Sequence, residues 1–113
     1  MTSPDEHPLA HHPAFRAVIA AAPPLAVLAT HVGDPDLVSS LAIACSDLTD
    51  GFAAPPESRR RLVAHHRAWI AVREIDRAVA AAARGRRAAP EIVQRAQRAI
   101  DRADVLIGAL LPA

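Results

Sequence analysis

Six histidines offer the most chemistry in this chain: His7, His11, His12, His31, His65 and His66. Imidazole ligates metals and moves protons near neutral pH. A helical bundle that holds two metals uses Glu-x-x-His pairs on facing helices. No Glu-x-x-His occurs here, and Glu is present only as Glu6, Glu57, Glu74 and Glu91. His11-His12 and His65-His66 are sequence neighbours, so on a helix each pair points to two different faces. The reading is that His65 packs beside Trp69 while His66 faces solvent or another chain. Nucleophiles fare no better. Cys45 falls on an apolar stripe, where a thiol behaves as a small hydrophobe. Ser39, Ser40 and Ser46 have no strained turn and no evident base, and the four glycines never cluster into a phosphate cradle. No catalytic, cofactor-binding or metal-ligating residue is assigned, no cofactor is expected, and the chain does not read as an enzyme.

The arginines are the informative charges. All 13 basic residues are Arg. Residues 1–56 carry Arg16 alone against six carboxylates, whereas residues 57–113 carry twelve Arg against six. Arg59-Arg60-Arg61 and Arg84-Gly85-Arg86-Arg87 form two clusters, the candidate contacts for nucleic acid or for a protein partner. They fall at opposite ends of one expected helix. With aromatics at 3%, stacking on exposed bases is disfavoured. The same asymmetry lets an acidic face of one copy meet a basic face of the next.

The elements that must position these groups are helical. At 113 residues the chain is one domain, 51% hydrophobic, with alanine dominating that share and no Tyr. Such a composition excludes a β-sandwich, and one cysteine excludes a disulfide framework. Residues 14–29 are apolar enough to raise a signal peptide or a membrane span. Asp5 and Glu6 precede the run, Arg16 lies inside it and Pro23-Pro24 split it, so it reads as a buried helix of a cytoplasmic protein with no membrane contact.

Residues 1–12 read as a flexible N-terminal tail and 13–113 as the folded unit. The first helix covers Pro13 to Val32, carrying Phe15, Val18, Ile19, Leu25, Val27 and Leu28, and is expected to kink or restart at the double proline. After Gly33-Asp34-Pro35, Asp36 is the expected N-cap of a second helix, Leu37 to Thr49, with Leu37, Leu41, Ala44, Cys45 and Leu48 on one face. Asp50-Gly51 should end it, with Gly51 left-handed. Pro55-Pro56-Glu57 should open a long third helix to Arg84, its stripe Leu62, His65, Trp69, Val72, Ile75, Val79 and Ala82, closed by Gly85. The fourth begins at Ala88-Ala89-Pro90-Glu91 and carries Ile92, Ala96, Ala99, Ile100, Ala103, Leu106, Ile107 and Leu110. Short connections make this an all-α, antiparallel up-down-up-down four-helix bundle, with Leu62, Trp69, Val72, Ile100, Leu106 and Leu110 expected inside.

The order of these features resembles the four-helix-bundle family known from intervening sequences of bacterial 23S ribosomal RNA genes, which also includes the accessory variability proteins of diversity-generating retroelements. Leu37, Leu41, Ala44 and Ser46, then Asp50-Gly51-Phe52, stand where the family has its second helix and Glu-Gly close. Ala68, Ala71, Val72, Glu74 and Ile75 fall where it shows Ala-x-Gly-Ser-Leu-x-Glu-Leu, and Ile107 to Leu111 match its Ile-Gly-x-Leu-Leu. The family's Asn-Ile is missing, its basic pair is Ala42-Ile43 here, and its Gly-Ser is Ile70-Ala71. The resemblance implies an antiparallel bundle, assembly into a ring of five subunits and no enzymatic activity. The reading is therefore a homo-oligomeric interaction or adaptor protein, with Arg73 and Arg77 as candidate oligomer contacts. The alternative is a module binding nucleic acid, or a nucleic-acid-bound protein, through Arg59, Arg60, Arg61, Arg84, Arg86 and Arg87 on the assembled ring.

Overall fold

A computed structural model describes residues 11–112. Four helices, α1 (Pro13–Val32), α2 (Asp36–Ala53), α3 (Arg59–Arg84) and α4 (Pro90–Gly108), account for nearly all of the described chain, and no strand occurs among the described residues. The expected four-helix bundle is what forms. Connections of three, five and five residues join the helices, short enough to force antiparallel neighbours. Each helix packs on the next and α4 returns against α1, so α1 and α3 lie diagonally opposed. Most of the proposed tail, residues 1–10, lies outside the described residues.

The helix boundaries show where local chemistry overrode simple sequence signals. His12 is no tail residue but the N-cap of α1, its Nδ1 accepting from the Ala14 N–H at 3.2 Å. Pro23 and Pro24 lie inside one continuous helix. They deprive the carbonyls of Ile19 and Ala20 of donors, but both of those residues are exposed, so water can substitute. Asp36 is the first helical residue and not the cap. Its N–H donates to Asp34 Oδ1 at 3.1 Å, closing an Asx turn ahead of α2.

Gly51 does not terminate α2. It sits in helical backbone one turn beyond the expected end and is buried. Pro55-Pro56-Glu57 stay in the loop, with Glu57 at φ 65°, and α3 starts after Ser58, whose hydroxyl accepts from the Arg61 N–H at 3.2 Å. At the other end, Gly85 has φ −79° and the left-handed position falls on Arg86 at φ 51°. The Arg87 N–H reaches Ala82 O and the Arg86 N–H reaches Ala83 O, both at 3.2 Å, the Schellman pattern shifted one residue past the glycine.

The core is lined by small side chains. Twelve of the 25 buried apolar residues are alanine, so the helices approach closely while each contact removes little area from water. Leu25, Leu28, Leu48, Ile75, Ile100 and Ile107 supply the bulk. Of the expected interior, Val72 and Ile100 are fully buried, Trp69, Leu106 and Leu110 are half-buried, and Leu62 is exposed. Cys45 is half-buried rather than interior. On α4, Val93 takes an interior place expected for Ile92, because the packed face is centred between Ile100 and Ile107. α1 is long and apolar enough to cross a bilayer by composition, yet it serves as a core helix, with eight residues buried against its neighbours.

Candidate functional site

The two arginine clusters lie at the two ends of α3, separated by roughly 40 Å along its axis. Each splits between structural and exposed members. Arg61 is half-buried and holds the end of α2: its Nε donates to Gly51 O at 2.9 Å, and Nη2 to Phe52 O at 3.0 Å and Ala54 O at 2.8 Å. Gly51 O also receives the Ala54 N–H. Phe52 O and Ala54 O are carbonyls of the kind a helix C-terminus leaves without donors, and a guanidinium answers both their geometry and their partial charge. Arg87 does the same for α1, donating from Nη2 to Val32 O at 2.7 Å. Arg59, Arg60, Arg84 and Arg86 are exposed, as is Arg87 apart from its bond to Val32 O.

Arg73 and Arg77 are also exposed. Arg73 leans toward α4, with its guanidinium 5.2 Å from the centroid of the Trp69 ring and Nη1 3.6 Å from Asp104 Oδ2. Asp104 also accepts from Trp69 Nε1 at 2.8 Å. The half-buried Trp69 therefore stitches α3 to α4 by its polar edge, while its expected neighbour His65 points elsewhere. His66 is the imidazole beside Trp69, with centroids 6.0 Å apart.

His65 is 3% exposed and faces the C-terminal turn of α2. The Phe52 ring meets it edge-on at 4.7 Å and also meets the His12 ring, tilted, at 4.3 Å. Gly51 makes room for this ring: a Cβ there would stand 2.3 Å from His65 Cδ2. Burial, and after it the positive charges of Arg61 and His12, hold the His65 imidazole below its ordinary pKa. This cluster borders a cavity of about 760 Å³ at the end of the bundle, whose apolar wall includes Leu62, Leu110 and Leu111. Among the described residues no three His, Cys, Asp or Glu side chains gather as metal ligands.

Two shallower grooves lie on opposite sides of the bundle, because the α2–α3 and α1–α4 seams are opposed in the packing order. The α2–α3 groove exposes Ile43 (56%) and Ile70 (42%), with Asp47, Arg67 and Glu74 at its margins. Burial raises the pKa of Asp47, with Arg67 opposing and Asp50 reinforcing the shift. The α1–α4 groove is lined by Pro23, Pro24, Val27, Ile92 and Arg95. Sequence reasoning missed both. The readable signal was a second stripe on α3, Val63, Arg67, Ile70 and Glu74 at helical spacing, which flanks the core stripe and carries apolar residues without being interior.

No protein-family model, curated protein or solved structure matches the chain.

Proposed function

We propose that this protein is a non-enzymatic, homo-oligomeric interaction module of the cytoplasm, assembled as a ring in which the α2–α3 groove of one copy receives the α1–α4 face of the next. The observation that carries this reading is the pair of apolar grooves on opposite sides of one bundle, one bordered by Asp47 and Glu74 together with Arg67 and the other by Arg95. Contacts between two different faces are heterologous, and they close into rings when the rotation permits. The alanine-rich interior adds a motive, because further burial of Ile43, Ile70 and Val27 between copies supplements what a lone bundle gains. A five-membered ring is the assembly implied by the resemblance to the ribosomal intervening-sequence family, to which we assign the chain on the same grounds. Arg73 and Arg77 are exposed on α3 beside the α2–α3 groove's lining rather than in it, and in this reading they add to the charges that set the register.

Sedimentation velocity of purified variants tests the proposal. Glu74→Arg should shift the protein toward single chains, and combining it with Arg95→Glu should restore the assembly, since the two charges face each other across the copies. Unchanged sedimentation of both single charge reversals would refute the groove-to-groove contact.

A further inference from the structure

We propose that the His12–Phe52–His65 cluster is a pH-sensitive latch: two neutral imidazoles packed on Phe52 close the end of the bundle, and acidification opens it. The geometry requires the neutral form at both positions for different reasons. His12 caps α1 by accepting the Ala14 N–H at Nδ1. Protonation places a hydrogen on that nitrogen and abolishes the acceptor. His65 is packed against Gly51 with its Nε2 buried and, among the described residues, without a hydrogen-bond partner. An imidazolium there would carry an N–H with nothing to receive it.

Charge works in the same direction. The Arg61 guanidinium lies 5.9 Å from the Phe52 centroid and is fixed there by its bonds to the end of α2. Protonating both histidines would put three cations around one phenyl ring. Among the described residues the other charged groups bordering the cavity are Glu57 and Arg59, while the segment after α4 contributes the apolar Leu110, Leu111 and Pro112. Burial lowers the affinity of His12 for a proton, and burial followed by Arg61 and His12 lowers that of His65.

The sign follows directly. A histidine whose folded pKa lies below its ordinary 6.5 stabilises the closed form above that value, and loses the contribution as pH falls through the folded pKa. Asp47 works in the opposite sense, since its raised pKa favours the protonated acid in the fold. Opening would release the first turn of α1 from the α2 end and uncover Phe52 and the cavity wall.

NMR on the full chain tests this, through the titration of each histidine ring and through amide exchange corrected for its intrinsic pH dependence. Between about pH 7.5 and about pH 5, the Ala14 and Ala54 amides should lose protection while those in the middle of α4 keep it. Replacing His12 with a non-titrating cap, His12→Ser, should preserve Ala14 protection in acid. His12 and His65 titrating at or above 6.5 would overturn the proposal. So would an equal acid-induced loss of protection at Ala14 in the His12→Ser protein, or a loss uniform across all four helices.

Discussion

Gly51→Ala separates two opposing effects whose sizes the structure sets. Gly51 is helical, so alanine should gain about 1 kcal/mol from backbone propensity. Against that, the added Cβ would lie 2.3 Å from Cδ2 and 2.5 Å from Nε2 of His65, well inside contact distance. The imidazole has little freedom to retreat, being 3% exposed with Phe52 at 4.7 Å. Overpacking of a closed site costs about 1–3 kcal/mol, so the steric term should exceed the propensity gain by up to about 2 kcal/mol. In a chain of this length that lowers the thermal midpoint by up to about 15 °C. Circular dichroism melts supply the measurement, and a double-mutant cycle supplies the diagnosis. In a His65→Ala background the obstacle is gone, and the same Gly51→Ala change should become stabilising by up to about 1 kcal/mol. A raised midpoint for Gly51→Ala in the natural sequence would refute the claim that this glycine exists to seat His65.

Other substitutions probe the remaining elements. Arg61→Ala should cost about 2–3 kcal/mol by stranding the Phe52 and Ala54 carbonyls at the end of α2, and Arg61→Lys should not rescue it, as chemical denaturation will reveal. Arg86→Gly should stabilise by about 0.5–1 kcal/mol, since it relieves a left-handed residue where glycine belongs, and a lower melting midpoint would contradict the Schellman assignment. Ile100→Ala, at a fully buried site, should cost about 2–5 kcal/mol, whereas Leu106→Ala should cost less because that side chain is only half-buried; equal losses would contradict the packing of α4.

The sequence carried the helices and their order but blurred their ends and the identity of the inward face. α1 was legible to the residue because Pro13 and Gly33 mark its limits. α2 was not, since Asp50-Gly51 looks like a stop signal and the reason for the glycine lies fourteen residues further along the chain, at His65. Leu62 and Trp69 were taken for core because they follow the apolar period of α3. In the bundle they fall on its flank, where Leu62 borders the end cavity and Trp69 finds Asp104. The two arginine clusters were visible, but not the division of labour within them. Whether a guanidinium caps a neighbouring helix or meets solvent depends on which carbonyls arrive beside it, and only the tertiary arrangement determines that for Arg61 and Arg87.

The central claim is self-assembly through the two grooves, and the mass of the full chain in solution tests it most directly. Sedimentation equilibrium at tens of micromolar, about the range where contacts of several kcal/mol are populated, should return about five times the 12.0 kDa of one chain. A mass of 12.0 kDa throughout that range would contradict the account.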